Sequence, residues 1–184
     1  DYTDGLYIIS KNYHKLTLAE KFALCFAYKN MVPTNTSFDK VMLAKITNLL
    51  KVIAKCKKYR KDHNIKPQDI IKYGLDDLLS AVKINHMIRR NYPNYTNKIK
   101  NMYKSMKIKT IKDLKIKGSD IVQLNGGVKG SYVSEVINEL ASEVVLDMLQ
   151  NDFMELSHRA KEIIAQMDTK VDENSTEKVE LKED

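Results

Sequence analysis

The chain has 184 residues with only 6 glycines and 3 prolines, which argues against an all-β sandwich or barrel, because those folds need a turn signal every ~8–12 residues. Its two cysteines exclude a disulfide scaffold, and no stretch reaches the ~18 apolar residues of a membrane helix. We therefore expect a cytoplasmic protein without a secretion signal and, since the first residue is Asp1 rather than methionine, a fragment of a longer chain.

The net charge of +7 is distributed very unevenly along the chain. Residues 40–117 carry 21 Lys and Arg against 5 Asp and Glu, whereas residues 118–184 carry 6 against 15. An excess of positive charge of this size repels itself and favours a polyanionic partner. The alternative is that the lysines are compositional and only cover solvated helix faces.

Two amphipathic helices are predicted first. Thr17 and Glu20 have the spacing of a capping box, which starts a helix over 16–29. A longer helix follows over 38–62, because apolar residues recur at helical spacing; they are Met42, Leu43, Ile46, Leu49, Leu50 and Ile53. The end of this helix is basic and provides an alternative face for binding a polyanion, at Lys55, Lys57, Lys58, Arg60 and Lys61.

Proline and glycine then mark two further helices. Pro67 suits the first position of a short helix, Gly74 ends it, and Asp76 is expected to cap the next one. That next helix has an inward face of Leu78, Leu79, Val82 and Met87. It ends at Arg89 and Arg90, where positive charge suits the negative end of the helix dipole.

The second half of the chain begins after the boundary Tyr92-Pro93-Asn94. A helix over 95–107 is predicted to point Ile99 inward and Lys98, Lys100 and Lys104 outward. Residues 107–117 alternate only in part and predict a connector or a short strand-like piece. The remaining predicted elements are a short helix over 119–124, a turn at Gly126-Gly127, a core helix over 131–149 with Met148 inward, and a last helix over 153–167.

These elements predict an all-α fold, a multi-helix array of about 6–8 helices in two packed lobes. We divide the chain into an N-terminal helical segment (1–37), a helical body (38–93), a helical tail (94–167) and a disordered acidic tail (168–184).

No constellation of catalytic or metal-binding residues is recognisable. The four histidines, which are His14, His63, His86 and His158, form no pair at metal-ligand spacing. The segment from Gly126 to Ser131 lacks the residue order of a phosphate-binding loop. Cys25 and Cys56 lie in apolar helical patterns, and we expect both thiols to be buried.

Several segments, in order along the chain, resemble a known family. Lys117-Gly-Ser-Asp120-Ile121-Val-Gln-Leu124, followed by a glycine turn and Gly130-Ser-Tyr-Val133-Ser-Glu-Val136-Ile137, resembles the tail of bacterial CCA-adding enzymes and related poly(A) polymerases. Leu149-Gln-Asn151 is similar to the stretch that follows there. Upstream, Lys45-Ile-Thr-Asn48 and Ile71-Lys-Tyr-Gly74 are similar to parts of the family's body. The chain departs from the family pattern around Gly130, where the family's prolines are missing, and at Ser134, where the family has glycine.

The resemblance implies that the chain is the body and tail of a tRNA nucleotidyltransferase. The catalytic head of such an enzyme, with Mg²⁺ held by carboxylates, and the neck that reads CTP and ATP would then precede Asp1, and no cofactor is expected in this chain. In the resembling enzymes the body and tail hold the elbow of the tRNA, which needs basic side chains on a rigid surface.

The resemblance thus makes tRNA the expected partner, and no membrane is expected to take part. The candidate RNA-binding residues are Arg89, Arg90, Lys98, Lys100, Lys104, Lys107, Lys109, Lys112, Lys115 and Lys117. Tyr95 or Tyr103 is a further candidate for stacking on a base, although the inward position of Tyr103 favours a place in the core.

Two alternatives remain. One is a DNA-binding module with residues 119–124 and 131–149 as a helix-turn-helix, although the second helix carries Glu135, Glu139, Glu143 and Asp147 and no Lys or Arg. The other is a helical protein-interaction module without catalysis.

Overall fold

The computed structural model describes residues 11–60, 65–89 and 91–180, with side chains described through residue 167. All regular structure in these ranges is helical, which confirms the all-α prediction. The α-helices there are α1 (Leu18–Phe26), α2 (Lys40–Cys56), α3 (Pro67–Tyr73), α4 (Leu75–Ile88), α5 (Thr96–Ser105), α6 (Gly118–Leu124), α7 (Tyr132–Val145) and α8 (Phe153–Glu180).

The chain forms two compact units. The first is Asp1–Ser105 and holds α1 to α5, and the second is Met106–Asp184 and holds α6 to α8. The boundary predicted after residue 93 would group α5 with the tail, whereas the structure divides the chain after Ser105. In the structure α5 packs on α3 and α4 of the first unit and buries Ile99 there.

Helices α2 and α4 form the centre of the first unit, and α1 packs against both. Ile46 and Ile53 of α2, with Leu78 and Ile84 of α4, have no exposed surface. Burial of large aliphatic side chains of this kind contributes about 1.5–3 kcal/mol each. The predicted apolar stripe of α2 is therefore the core face over most of its length, although Leu43 is exposed.

The capping box at the start of α1 is confirmed. The backbone N–H of Glu20 donates to Oγ1 of Thr17 at 3.3 Å, and the N–H of Thr17 donates to Oε2 of Glu20 at 2.7 Å. Glu20 is itself buried, and its Oε1 forms an ion pair with Nζ of Lys83 on α4 at 2.7 Å. The carboxylate of Glu20 therefore both caps the start of α1 and links α1 to α4 through the ion pair.

The buried face of α1 is narrower than its sequence pattern indicated. Ala19 and Ala23 are buried, whereas Leu18 and Cys25 are exposed. The prediction that both cysteines are buried is thus wrong for Cys25. The reason is that α1 contacts the core along a line of small side chains, which leaves the flanking positions in solvent.

The predicted long helix over 38–62 is shorter in the structure. Asp39 caps α2 by accepting from the N–H of Met42 at 2.8 Å, and the helix ends at Cys56. A 3-10 turn, Lys57–Arg60, continues it. Residues 61–64 lie outside the described ranges.

Pro67 occupies the first turn of α3 as predicted, and Gly74 follows it with a φ of +78°. This backbone conformation is strained for residues with a Cβ, so glycine suits the joint between α3 and α4. Asp76 was predicted to cap α4, which is wrong, because Gly74 is the N-cap and no side chain caps this helix. The neighbouring Asp77 instead accepts from Nδ2 of Asn48 at 2.6 Å.

In the second unit α6, α7 and α8 pack on one another around Ile121, Leu140 and Leu156, which are fully buried. Gly126 and Gly127, both with positive φ, make the predicted turn between α6 and α7. Arg159 on α8 joins α7 through three hydrogen bonds to the carboxylate of Glu143, at 2.6 to 3.0 Å.

Helices α7 and α8 end at different places from those predicted. Because α7 ends at Val145 instead of continuing to 149, Met148 is exposed, and its predicted inward position is wrong. Helix α8 continues past the predicted end at residue 167 to Glu180, which differs from the disordered acidic tail that composition indicated over 168–184. The segment is rich in Glu and Lys, which have high helix propensity. Residues 181–184 lie outside the described part.

The position of Leu140 generates a stability prediction. Leu140→Ala should lower the free energy of unfolding by about 2–5 kcal/mol, because the removed methyl groups leave a cavity in a closed core. Met148→Ala is the control: its side chain is 71% exposed, and we expect a change within about 0.5 kcal/mol. Urea unfolding of the two variants measures the difference, and equal effects would contradict the core assignment.

The Glu20 ion pair generates a pH-dependent prediction. Burial alone would raise the pKa of Glu20, but hydrogen bonds from Lys83, Thr17 and Ser80 outweigh it and lower the pKa below its ordinary value of 4.5. A carboxylate whose pKa is lower in the folded state stabilises the fold at neutral pH, and this contribution disappears as pH falls through the lowered value.

Glu20→Gln should therefore destabilise the protein by about 1–3 kcal/mol at pH 7, and the difference from wild type should shrink as the solution is acidified below pH 4.5. Melting temperatures measured across this range test it. The exposed Glu135→Gln serves as control, and an offset for Glu20→Gln that does not change with pH would contradict the ion pair's role.

Candidate nucleic-acid interface

Most of the positive charge lies in the first unit. Residues 1–105 carry 20 Lys and Arg against 8 Asp and Glu, whereas residues 106–184 carry 11 against 16. The candidate residues fall on both sides of this division. Each unit therefore has its own basic surface, and each is described separately.

The outward face of α5 is the first such surface. Lys98, Lys100 and Lys104 are exposed, as their helical spacing predicts, while Ile99 between them is fully buried. The Nζ atom of Lys98 lies 6.0 Å from the ring centroid of Tyr95. These three cations are presented on a helix that the core of the first unit holds in place.

The connection from α4 to α5 is fastened to the C-terminal end of α2. The last carbonyls of a helix lack intrahelical donors, and here side chains supply them. Nδ2 of Asn85 donates to the Ile53 carbonyl at 2.9 Å, Tyr92 Oη donates to the Cys56 carbonyl at 2.9 Å, and Tyr95 Oη donates to the Tyr59 carbonyl, just beyond the helix, at 2.7 Å.

Tyr95 is thus half-buried, with its ring packed edge-on against the rings of Tyr59 and Tyr92. Its hydroxyl and one side of its ring are engaged within the protein. Tyr95 therefore contributes to the support of the basic surface.

Arg89 directly follows the last residue of α4, and its side chain is held by a buried residue. Its Nε donates to Oδ1 of Asn85 at 2.6 Å, and Asn85 has no exposed surface. Burial lowers the pKa of the Arg89 guanidinium, and the positive charge of Arg60 lowers it further. Arg90 lies outside the described residues.

The second basic surface is the segment that begins the second unit. Met106, Ile108, Leu114 and Ile116 are buried, so the lysines that alternate with them lie on the outside. Lys107, Lys112, Lys115 and Lys117 are exposed, and Lys109 is half-buried. A 3-10 turn, Ile111–Asp113, separates the two alternating stretches. The partial alternation in the sequence therefore reflects two short extended pieces joined by a turn.

Two residues hold this segment in shape. The Asp113 carboxylate accepts from the N–H groups of Lys109 and Thr110 at 2.7 and 2.9 Å, and these hydrogen bonds lower the pKa of Asp113. Asn151 bridges the segment to the α7–α8 connection, accepting from the N–H of Lys115 and donating to the carbonyl of Asp113, both at 2.9 Å. The side chain of Asn151 thus fixes the backbone position from which the Lys115 side chain extends.

The lysines of this segment differ in the contacts that their side chains make within the protein. Lys107 forms an exposed ion pair with Asp147 at 2.6 Å, and Nζ of Lys109 donates to the Met106 carbonyl at 2.7 Å. Across the described ranges no carboxylate lies within ion-pairing distance of Lys112, Lys115 or Lys117. These three are the cations of the second unit best placed to meet an external anion.

The helix-turn-helix alternative is disfavoured by the charge of its second helix. Arg159 of α8 lies against α7, and its guanidinium is bound by Glu143 and Glu162. The remaining exposed carboxylates of α7, including those of Glu135 and Glu139, would repel phosphate.

The described residues offer no ligand set for the Mg²⁺ that the sequence resemblance implies for the catalytic head of such an enzyme. Among the described residues no group of three or more His, Cys, Asp or Glu side chains comes together. Burial raises the pKa of the Cys56 thiol to about 12, so this group is protonated and unreactive at neutral pH.

No helix in the described part of the chain combines the length and the hydropathy that a membrane crossing needs.

Comparison with known proteins gives consistent matches. The profile of a family described as tRNA nucleotidyltransferase domain 2 matches residues 37–160. The CCA-adding enzyme of Ligilactobacillus salivarius is 30% identical over 109 residues, which are 59% of this chain and 26% of that enzyme. The predicted resemblance to CCA-adding enzymes is thereby confirmed.

A solved structure has a similar fold. The Bacillus stearothermophilus CCA-adding enzyme in complex with CTP superposes with a TM-score of 0.66 at 16% identity, over 84% of this chain and 40% of that one. The chain thus spans less than half the length of these two relatives.

The bridge made by Asn151 generates a prediction for the second basic surface. Asn151→Ala removes two hydrogen bonds and should destabilise the protein by about 0.5–1.5 kcal/mol for each, with faster hydrogen exchange at the Lys115 amide. The matched control is Asn138→Ala, because Asn138 donates only to the Ser134 carbonyl within α7. Unchanged exchange at Lys115 would contradict the tethering role.

Proposed function

The chain belongs to the tRNA nucleotidyltransferase domain 2 family, and from this premise we propose that it is the tRNA-binding body and tail portion of a CCA-adding nucleotidyltransferase. Its role would be to hold the elbow of the tRNA while another part of the longer protein extends the 3′ end. The observation that carries the proposal is that the family match over residues 37–160 contains every candidate basic residue, and the described ones lie at the surface.

The chemistry of the two basic surfaces suits the outside of a folded RNA. A-form RNA has a deep, narrow major groove that side chains do not read, so its helices are recognised by shape and by phosphate contacts. Lysines on a fixed framework supply such contacts without reading bases. Lys98, Lys100 and Lys104 on α5, and the segment from Lys107 to Lys117, have this character.

Nucleotide addition itself is assigned to a separate head of the longer protein. Mg²⁺ and the substrates CTP and ATP would act there, and the residues of this chain would contribute binding and orientation of the tRNA. We propose the cytoplasm as the compartment, since that is where tRNA is processed in bacteria.

The proposal predicts a preference for tRNA that survives physiological salt. Binding of labelled tRNA, followed by fluorescence anisotropy with duplex DNA of equal charge as competitor, should favour tRNA at about 150 mM salt, because shape recognition adds to the counterion term. Equal binding to both nucleic acids that disappears at this salt concentration would overturn the proposal.

Paired variants in the same titration locate the surface. Lys115→Gln with Lys117→Gln should weaken binding and reduce the slope of log K against log salt by roughly 0.7–0.9 for each phosphate that the protein no longer neutralises. Lys129→Gln with Lys161→Gln removes the same charge from exposed positions elsewhere in the second unit, and it should leave the slope near the wild-type value. Identical slopes for the two pairs would remove this segment from the interface.

A further inference from the structure

Arg89 is held by its neighbours through both its backbone and its side chain. Its backbone N–H donates to the Asn85 carbonyl at 3.0 Å, and its own carbonyl accepts from the N–H of Tyr92 at 3.2 Å. Its Nε donates to Oδ1 of Asn85 at 2.6 Å. Fixing an arginine side chain costs rotamer freedom, and here folding rather than ligand binding bears much of that cost.

Asn85 is the residue that orients this guanidinium. It has no exposed surface, and the N–H bonds of its side-chain amide go to the carbonyls of Ile53 and Ala81, at 2.9 and 3.1 Å. The amide cannot rotate without losing these bonds, so its oxygen stays directed at Nε of Arg89. A bond at Nε leaves the N–H groups of both terminal nitrogens for another acceptor.

The terminal nitrogens of Arg89 have no carboxylate partner within the ranges that the structure describes, whereas Arg159 contacts Glu143 and Glu162. Arg89 is also half-buried. This burial lowers the pKa of its guanidinium, although an arginine stays charged at neutral pH. A cation that has lost part of its hydration and lacks a counter-charge gains from binding an external anion.

The loop that follows Arg89 is fastened beside a basic turn. Tyr92 Oη donates to the Cys56 carbonyl at 2.9 Å, and the Tyr92 carbonyl accepts from Nδ1 of His86 at 2.6 Å. The turn Lys57–Arg60 directly follows Cys56, and its Lys and Arg side chains are exposed. Exposed cations at this end of α2 attract a polyanion to the surface on which Arg89 is fixed.

We infer that Asn85 is a positioning residue, which presents the terminal nitrogens of Arg89 to one phosphodiester group of the RNA backbone. A guanidinium matches two phosphate oxygens through paired hydrogen bonds, a geometry that a lysine does not reproduce. This role rests on the proposed tRNA binding and deepens it, because it assigns one oriented contact on the first unit to the RNA backbone.

The contact itself is tested by tRNA binding to the full chain, followed by fluorescence anisotropy. Arg89→Gln should weaken binding about 10-fold and reduce the slope of log K against log salt by roughly 0.7–0.9. Lys45→Gln is the control that removes the same charge from an exposed position on α2. This lysine lies about 16 Å before Cys56 along the helix axis, at 1.5 Å per residue.

A double-mutant cycle tests the positioning role of Asn85. Asn85→Ala should weaken tRNA binding when Arg89 is present and should have no further effect in the Arg89→Gln background, because Asn85 acts on the RNA only through Arg89. A role confined to fold stability would instead give the same factor in both backgrounds. Binding is measured well below the melting temperature of each variant, since loss of the buried amide also destabilises the fold.

Two further measurements leave Asn85 in place and do not depend on the folding of Asn85→Ala. Arg89→Lys keeps the charge and should recover only part of the affinity, and full recovery would overturn the oriented contact. In the chain labelled with ¹⁵N-arginine, the Nε–H of Arg89 should exchange with solvent more slowly than that of the exposed Arg60. Equal exchange rates would contradict a guanidinium fixed in the free protein.

Failure of this role is distinguishable from failure of the proposed function. If the wild-type chain shows no preference for tRNA over duplex DNA, both are overturned. If it prefers tRNA but Arg89→Gln binds as Lys45→Gln does, only the Arg89 contact is overturned. If Arg89→Gln alone weakens binding and Asn85→Ala acts equally in both backgrounds, the positioning role of Asn85 is overturned.

Discussion

The C-terminal end of α2 is the point on which the first unit depends. A helix that ends inside a protein leaves carbonyls that must find donors, because unpaired buried polar groups are costly. Here Asn85 and Tyr92 supply them, and Tyr95 does the same one turn further on. These three contacts join α2 to α4 and to the start of α5, and they decide the direction in which α5 presents its lysines.

The second unit orients its lysines in a different way. Its basic segment has little regular structure, but alternate residues enter the core and the lysines between them are turned outward. Asp113 and Asn151 hold the turn in the middle through backbone hydrogen bonds. These backbone hydrogen bonds hold the turn in shape, and the side chains of Lys112, Lys115 and Lys117 are exposed to solvent.

The two units therefore offer cations of different kinds. The lysines of α5 and of 107–117 are long, mostly exposed and able to adjust to a curved backbone, whereas Arg89 is oriented by a buried amide. Under the proposed tRNA binding, adjustable and fixed cations would both suit a substrate recognised by its overall shape. The acidic face of α7 carries no such contacts.

The sequence by itself determined the all-α class, the capping box of Thr17 and Glu20, the start of α3 at Pro67 and the family resemblance. Each of these follows from local chemistry or from helical periodicity, which neighbouring residues in the chain carry. The tertiary structure alone decided the exposure of Cys25 and Met148, the placement of α5 in the first unit, and the hydrogen bond that orients Arg89. These features depend on which helix ends pack together and on which side chains the core covers. Contacts between residues far apart in sequence, such as that of Asn85 with the Ile53 carbonyl, determine both.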